Sequence, residues 1–303
     1  MPEHPVFIVG CGDIGRRVAA LHRARGDAVS ALARSPARAQ GLAALGIAPV
    51  AGDLDGADTL TPLSLRSAQV YYFAPPPEGD AHDPRIERFL QAVQDAPAKL
   101  LYISTSGVYG DHRGGRVTED TPPNPQTARA RARLAAEQSL LDWSRRTRTP
   151  AVILRAGGIY GPGRLPVERI RRAEPVLRRE QAPYTNRIHA DDLARVCVAA
   201  MERGAAGAIY NVCDGEHSTM TDYFNKVADA LDLPRPPQIP LAEARRVLSP
   251  GMVSYFSESR RMDNRRMREE LGVTLLYPSL EQGLKSLLIY SGPSKSNSAT
   301  TGA

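Results

Sequence analysis

Gly10-Cys11-Gly12-Asp13-Ile14-Gly15 has the spacing G-x-G-x-x-G and follows directly on an apolar run, Val6 to Val9. Glycines at this spacing suit a strand that turns abruptly into a helix. Gly10 permits the tight turn, Gly12 has no Cβ and lets an anionic group approach the backbone, and Gly15 lets helix and strand pack closely. Such a helix start, opened here by Asp13 and Ile14, presents unpaired N–H groups and a partial positive charge, the chemistry that holds a pyrophosphate. Further on the chain reads Ala31-Leu32-Ala33-Arg34-Ser35. An acid after the second strand would bond a ribose 2′-hydroxyl, whereas Arg34 suits a 2′-phosphate through bidentate, charge-assisted bonds. NADP is therefore favoured over NAD.

These residues need a scaffold, and the apolar pattern supplies one. Short continuous apolar runs are expected as strands at Val6 to Val9, Val29 to Ala33, the stretch before Gly52, Val70 to Phe73, Leu100 to Ser104, Ala151 to Leu154 and Ile209 to Val212. Helical patterns fall between them: Ile14, Val18 and Leu21 share one face, Pro36 opens a second helix, Ile86 to Gln94 a third, Thr127 to Arg146 a long fourth, and another starts near Asp191. Strand–helix alternation of this kind gives an α/β fold, a doubly wound parallel (Rossmann) sheet with right-handed crossovers. From Gly157 to Arg187 the pattern loosens. The expected organisation is a dinucleotide-binding lobe over 1–160, rejoined by 187–213, and a smaller mixed C-terminal substrate lobe from 161–186 and 214–291. The small polar tail, 292–303, is expected to be disordered.

Composition narrows the function classes. The 303 residues are 42% hydrophobic and 24% charged, ordinary for a globular chain with a sizeable core. No apolar run approaches the ~18 residues of a membrane helix, and no leader pattern is read at the N-terminus. Cys11, Cys197 and Cys213 are few and widely spaced, which argues against disulfides and against a metal site, and points to a cytoplasmic protein. The net charge of +6 comes from scattered arginines rather than a block, so nucleic acid and membrane surfaces are not expected partners.

Taken together, VGCGDIG (Val9–Gly15), GDL (Gly52–Leu54), STSGVYG (Ser104–Gly110), GGIYGPGR (Gly157–Arg164), RIHADDLARV (Arg187–Val196) and IYNVCDG (Ile209–Gly215) resemble the short-chain dehydrogenase/reductase superfamily in its NAD-dependent epimerase/dehydratase branch. The GCGDIG form is similar to that of atypical, YeeZ-like members. The resemblance implies that Asp53 contacts the adenine ring, although GDLDG is also good turn chemistry and Asp53 could instead cap a turn, and that Leu54, Ala74 and Pro75 line the cofactor. It places Thr105 at the catalytic Ser/Thr position, where a hydroxyl can bond a substrate oxygen; the same hydroxyl could instead cap the strand end. Tyr109 and Tyr160 follow the VYG and YGPG patterns, which more often fix loops than donate protons. Asp191 is expected to cap the helix that follows, and His189 to have no metal role.

The same resemblance exposes a departure. The branch uses a Tyr and a Lys one helical turn apart, and the LAAE flank puts Arg129 and Arg133 at those two positions. An arginine is a poor proton donor at neutral pH. Arg133 could hold a ribose or phosphate and Arg129 a substrate anion, or both could be the wet face of a helix. The proton would then come from Tyr109, from the small lobe or from water. Two functions stand against each other: an NADP-dependent oxidoreductase acting on a small or sugar-nucleotide-like carbonyl or alcohol, and a non-catalytic NADP-binding redox sensor. An epimerase or dehydratase with tightly held NAD ranks third. Arg164 of GPGR suggests an anionic small-molecule substrate, a sugar nucleotide or a carboxylate. The long fourth helix is the branch's usual homodimer surface.

Overall fold

A computed structural model describes residues 4–56, 60 and 62–290. Seven strands form the central sheet: β1 (Val6–Val9), β2 (Val29–Ala33), β3 (Ala48–Ala51), β4 (Gln69–Tyr72), β5 (Lys99–Thr105), β6 (Ala151–Ala156) and β7 (Ile209–Val212). Their order is β7-β6-β5-β4-β1-β2-β3 and every pairing is parallel. The chain therefore reverses its direction of travel between β1 and β4, and a crevice opens beyond the carboxyl ends of these two strands, where open α/β sheets bind ligands. This is the Rossmann-type fold that the alternating pattern predicts.

Both faces are covered, which is why the strands read as unbroken apolar runs. On one face, α1 (Asp13–Ala24) and α5 (Ala190–Arg203) bury Ile14, Val18, Leu193 and Val196 against Ile8, Ala31 and Leu154. On the other, α3 (Pro84–Ala92) and α4 (Ala128–Thr147) set Ile86, Phe89, Leu140 and Trp143 against Val70, Tyr72 and Ile153. Each such side chain contributes ~1.5–3 kcal/mol on burial. Side chains cap three of the first four helices: Ser35 caps α2 (Pro36–Ala44), Asp83 caps α3 and Thr127 caps α4, each accepting from backbone N–H groups of the first turn. Helix α1 begins at Gly12 with no side-chain cap.

Three local features depart from the sequence reading. Strand β6 runs two residues past Leu154, because Arg155 lies inside it, 3% exposed and paired with Glu137 of α4 at 2.7 Å. The stretch read as irregular contains Gly158–Tyr160, which pairs in parallel with Arg187–His189. The cap of α5 is His189, whose Nδ1 accepts from the N–H of Asp191 at 3.2 Å; Asp191 itself bonds Arg17. Asp191 reaches out to α1 because His189, 1% exposed, already fills the capping place. The tail at 292–303 lies outside the described residues.

A further apolar cluster gathers Tyr160, Ile170, Tyr223, Phe224 and Leu284 beside the sheet. It sits on α6 (Met220–Ala230) and α8 (Leu280–Tyr290). The short helix α7 (Pro250–Phe256) lies between them in sequence and packs through Phe256 against Leu177 and Ala244.

Candidate functional site

Two adjoining cavities open at the carboxyl ends of the strands. The first, about 590 Å³, is lined by all ten residues expected at a cofactor: Gly10, Gly12, Asp13, Ile14, Gly15, Arg34, Asp53, Leu54, Ala74 and Pro75. Gly10 has φ +84°, and a Cβ there would stand 2.5 Å from the Ala74 nitrogen, so glycine is needed both for the turn and for contact with β4. A Cβ on Gly15 would be 3.1 Å from the Gly10 carbonyl oxygen and 3.2 Å from Ile8 Cγ2, which fixes how closely α1 lies on β1. A Cβ on Gly12 would meet nothing within 4 Å. The space beside Gly12 is thus open, next to a helix start that no side chain caps, and these residues fit a dinucleotide pyrophosphate.

Asp13 points into this cleft but is not a free anion. Burial opposes its ionisation, yet hydrogen bonds from Arg164 and Arg17 prevail and hold its carboxyl below the usual range. Arg34 is exposed at the end of β2, and Arg38, one turn into α2, lines the same wall. Arg38 escaped the sequence reading, although its i+4 spacing from Arg34 was a usable signal. The floor on the far side is tied down by Arg85, which pairs with Asp55 through two nitrogens at 2.6 and 2.8 Å and also donates to the Pro75 carbonyl.

The second cavity, about 490 Å³, shares Ile159 and Arg164 with the first. Thr105 lines it at the end of β5, and its Oγ1 accepts from the Gly107 N–H at 3.3 Å. This hydroxyl therefore caps the turn Ser106–Tyr109 and still borders the cavity. Arg129 and Arg133 divide between the cavities. Arg133 lines the first and donates to the Ile103 carbonyl at 2.7 Å and the Tyr102 hydroxyl at 3.2 Å. Arg129 lines the second and donates to the Tyr255 hydroxyl oxygen at 2.6 Å. Arg131, between them, is exposed and bonds the Gln126 carbonyl. One turn of α4 thus delivers a guanidinium to each chamber.

Tyr109 lines neither cavity. It is fully buried, its hydroxyl donates to Asn211 Oδ1 at 2.7 Å, and the Arg155 guanidinium lies over its ring at 4.8 Å. Burial raises its phenol above the ordinary value, which takes it out of the cavity chemistry. His189 is packed edge-on against Tyr160, and burial lowers its imidazole. Among the described residues no group of three or more potential ligands could hold a metal ion. The sequence reading missed Tyr184, Arg187, Tyr223 and Tyr255 of the second cavity. Arg187 opens the RIHADDLARV segment but was given no role there, and the three tyrosines come from segments without a recognisable pattern.

Residues 6–213 match the profile of the NAD dependent epimerase/dehydratase family. The chain belongs to that family. Among curated members, a 3-diazoavenalumate denitrifying reductase from a Streptomyces species is 29% identical over 92% of this chain and 98% of its own. Among solved structures, a functionally unknown conserved protein from Silicibacter pomeroyi is 30% identical, with a TM-score of 0.79 over 96% of this chain and all of its own. MoeE5, solved in complex with UDP-glucose and NAD, shares the fold at 22% identity and a TM-score of 0.72, covering 95% and 98% of the two chains. In this epimerase/dehydratase family member, the glycine loop and the parallel sheet lie within the matched residues. Tyr255 lies beyond them, in the C-terminal third.

Proposed function

We propose that the protein is an NADP-dependent oxidoreductase that reduces a carbonyl group in the cavity lined by Thr105. One observation carries the reading: the cleft that holds all ten expected cofactor residues, with its uncapped helix start, adjoins that cavity through the shared residues Ile159 and Arg164. A reductase related to this chain over nearly its whole length supports the reductive direction. Bound NADPH would supply a hydride to the carbonyl carbon.

The chain's own groups do the rest. Arg34 and Arg38 face the place of a 2′-phosphate beside the start of α2. The N–H groups at Gly12 to Ile14 face the pyrophosphate, and Arg133 borders the nicotinamide end of the cleft. Thr105 donates a hydrogen bond to the substrate oxygen and stabilises the charge that develops there. Tyr255 donates its phenolic proton to that oxygen as the C–O π electrons move onto it, and regains a proton from solvent. Arg129 favours this by donating to the Tyr255 oxygen at 2.6 Å, which leaves the phenolic hydrogen free to be given away. Tyr255 so stands in for the tyrosine that Arg129 displaces from α4.

The test is calorimetry with NADPH and NADH, followed by steady-state assays over carbonyl compounds. Tighter binding of NADPH and turnover with at least one carbonyl are expected. No heat with either nucleotide would sink the reading. Tight binding without turnover on any substrate would turn it into a nucleotide-binding sensor.

A further inference from the structure

Five arginines line the second cavity, and three are neutralised within the protein. Arg164 pairs with Asp13, Arg169 with Glu174 at 2.7 Å, and Arg260 with Glu258 at 2.8 Å. Arg129 is committed to Tyr255. Arg187 is different. Among the described residues it makes no ion pair. One of its five donors is spent, Nη2 on the Thr185 hydroxyl at 3.1 Å, while its buried Nε has no partner. Its Nη1 lies beside Gly158, whose added Cβ would stand 3.2 Å away, on the cavity wall. Asp214, the carboxyl whose charge acts most on Arg187, forms no ion pair with it and is pushed up to about 7, chiefly by its own burial.

A guanidinium in this state is held at a cost. Burial lowers its pKa, the direction expected when a cation loses water without gaining a counter-charge. It is kept in place by the Tyr223 ring, whose centroid lies 3.4 Å from Cζ. Stacking of this kind leaves the N–H edge in the plane of the guanidinium, the fork that matches a carboxylate. The neighbouring walls are aromatic and thioether: Tyr223, Phe224, Met220, Met252 and Tyr255. Of the polar groups on the wall, Asn186 is already engaged, donating to the Arg260 carbonyl and accepting from the Met262 N–H, while Glu258 holds Arg260 through Oε2 and keeps its buried Oε1 unpaired.

We infer that Arg187 anchors a substrate carboxylate and that the cavity selects a flat, largely apolar acid over a nucleoside diphosphate sugar. The inference rests on the oxidoreductase reading for what happens to that acid, but the anchor is testable by binding alone. The substrate's carboxylate lies on the Arg187 fork, its planar body runs between the rings and methionines, and its reacting carbonyl reaches Thr105 and Tyr255. The acid site belongs to Arg187 and not to Arg164, whose charge Asp13 already meets.

Calorimetry on the full chain, with and without NADPH, uses three probes: trans-cinnamate, cinnamyl alcohol with the same body and no carboxylate, and UDP-glucose. Cinnamate is expected to bind roughly ten- to hundredfold more tightly than the alcohol, the range for a charge-assisted pair, and more tightly than UDP-glucose. Arg187→Met should abolish that advantage and leave NADPH affinity unchanged, and Arg187→Lys should retain part of it. If Arg187→Met fails to fold by circular dichroism, Thr185→Val, which removes the hydroxyl that orients the guanidinium, should still weaken cinnamate severalfold. Equal affinity for acid and alcohol, tighter binding of UDP-glucose, no heat with any probe, or unchanged cinnamate binding in these variants overturns the anchor. Failure of NADPH to bind while cinnamate discrimination persists would instead overturn the oxidoreductase reading and leave the anchor standing.

Discussion

Arg129 on α4 and Tyr255 on α7 meet across the second cavity, guanidinium Nη1 to phenol oxygen at 2.6 Å, although 126 residues separate them. The guanidinium carbon also lies 5.0 Å from the centre of the same ring. A charged donor and a phenol are thereby brought together on the wall of one cavity. Tyr255→Phe should lower turnover of any carbonyl substrate by ~10²–10⁴-fold, the usual span for a lost general acid. NADPH affinity should not change. Rapid-mixing kinetics with NADPH fluorescence would show it, and a variant with wild-type turnover would remove Tyr255 from the chemistry.

Arg34 and Arg38 predict the nucleotide preference. Arg34→Asp places a carboxylate where a 2′-phosphate would sit, and should weaken NADPH by ~10–100-fold, corresponding to one or two lost charge-assisted bonds. NADH should be spared or bound better. Fluorescence titration with both nucleotides decides it; equal loss of both would contradict the 2′-phosphate assignment.

The two glycines of the turn should fail in different ways. Gly10→Ala forces a Cβ to 2.5 Å from the Ala74 nitrogen at φ +84°, so it should lower thermal stability. A Cβ at Gly12 meets no protein atom within 4 Å beyond its chain neighbours, so Gly12→Val should leave the melting temperature near wild type while abolishing nucleotide binding. Thermal melts beside titrations separate the two; a Gly12→Val protein that still binds NADPH would mean the pyrophosphate lies elsewhere.

Asp214 gives a pH dependence with a definite sign. Its carboxyl is pushed up to about 7, chiefly by burial and further by Glu216, while the Glu216 N–H and Arg187 act in the opposite sense. The unfolded chain releases this proton near pH ~4 and the folded chain only near 7, so the contribution is full below ~4 and is lost as pH rises through 7. Asp214→Asn removes the loss. It should gain ~2–4 kcal/mol relative to wild type on going from pH 4 to pH 8. Urea denaturation at both pH values measures this; parallel curves for the two proteins would refute it.

The buried pair Arg155–Glu137 should be the costliest to break. Both side chains are almost wholly enclosed, and two guanidinium nitrogens reach the carboxylate. Glu137→Leu leaves a stranded cation under the Tyr109 ring and should cost ~3–5 kcal/mol. A smaller loss in chemical denaturation would show that water reaches Arg155.

That the glycine turn, Arg34 and Asp53 line one cleft was legible in the sequence because its determinants are local. A strand, three spaced glycines and an arginine after the next strand occupy the first part of the chain, and the backbone path between them admits few alternatives. The second cavity was legible only in Thr105, Arg129 and Arg164. Arg187 and Tyr223 touch through a ring face, and Tyr255 reaches Arg129 from a seven-residue helix, so neither contact leaves a spacing rule behind. Two misreadings have the same origin. Arg155 looked like the end of a strand because a lone cation rarely stays inside one, and its partner Glu137 sits 18 residues earlier on a helix. Asp191 looked like a cap because acids usually are, but His189 fills that place, which frees Asp191 to reach Arg17 on α1.

The parallel arrangement of all seven strands has one consequence for how this molecule can change. Gly10, Arg34, Ala74, Thr105 and Gly157 each end or follow a different strand and all emerge along one rim, while the opposite rim carries none of them. Exchange of a few loop residues along the working edge can therefore replace reagents one at a time. The packed layers of the sheet beneath need not be rebuilt for any of those exchanges.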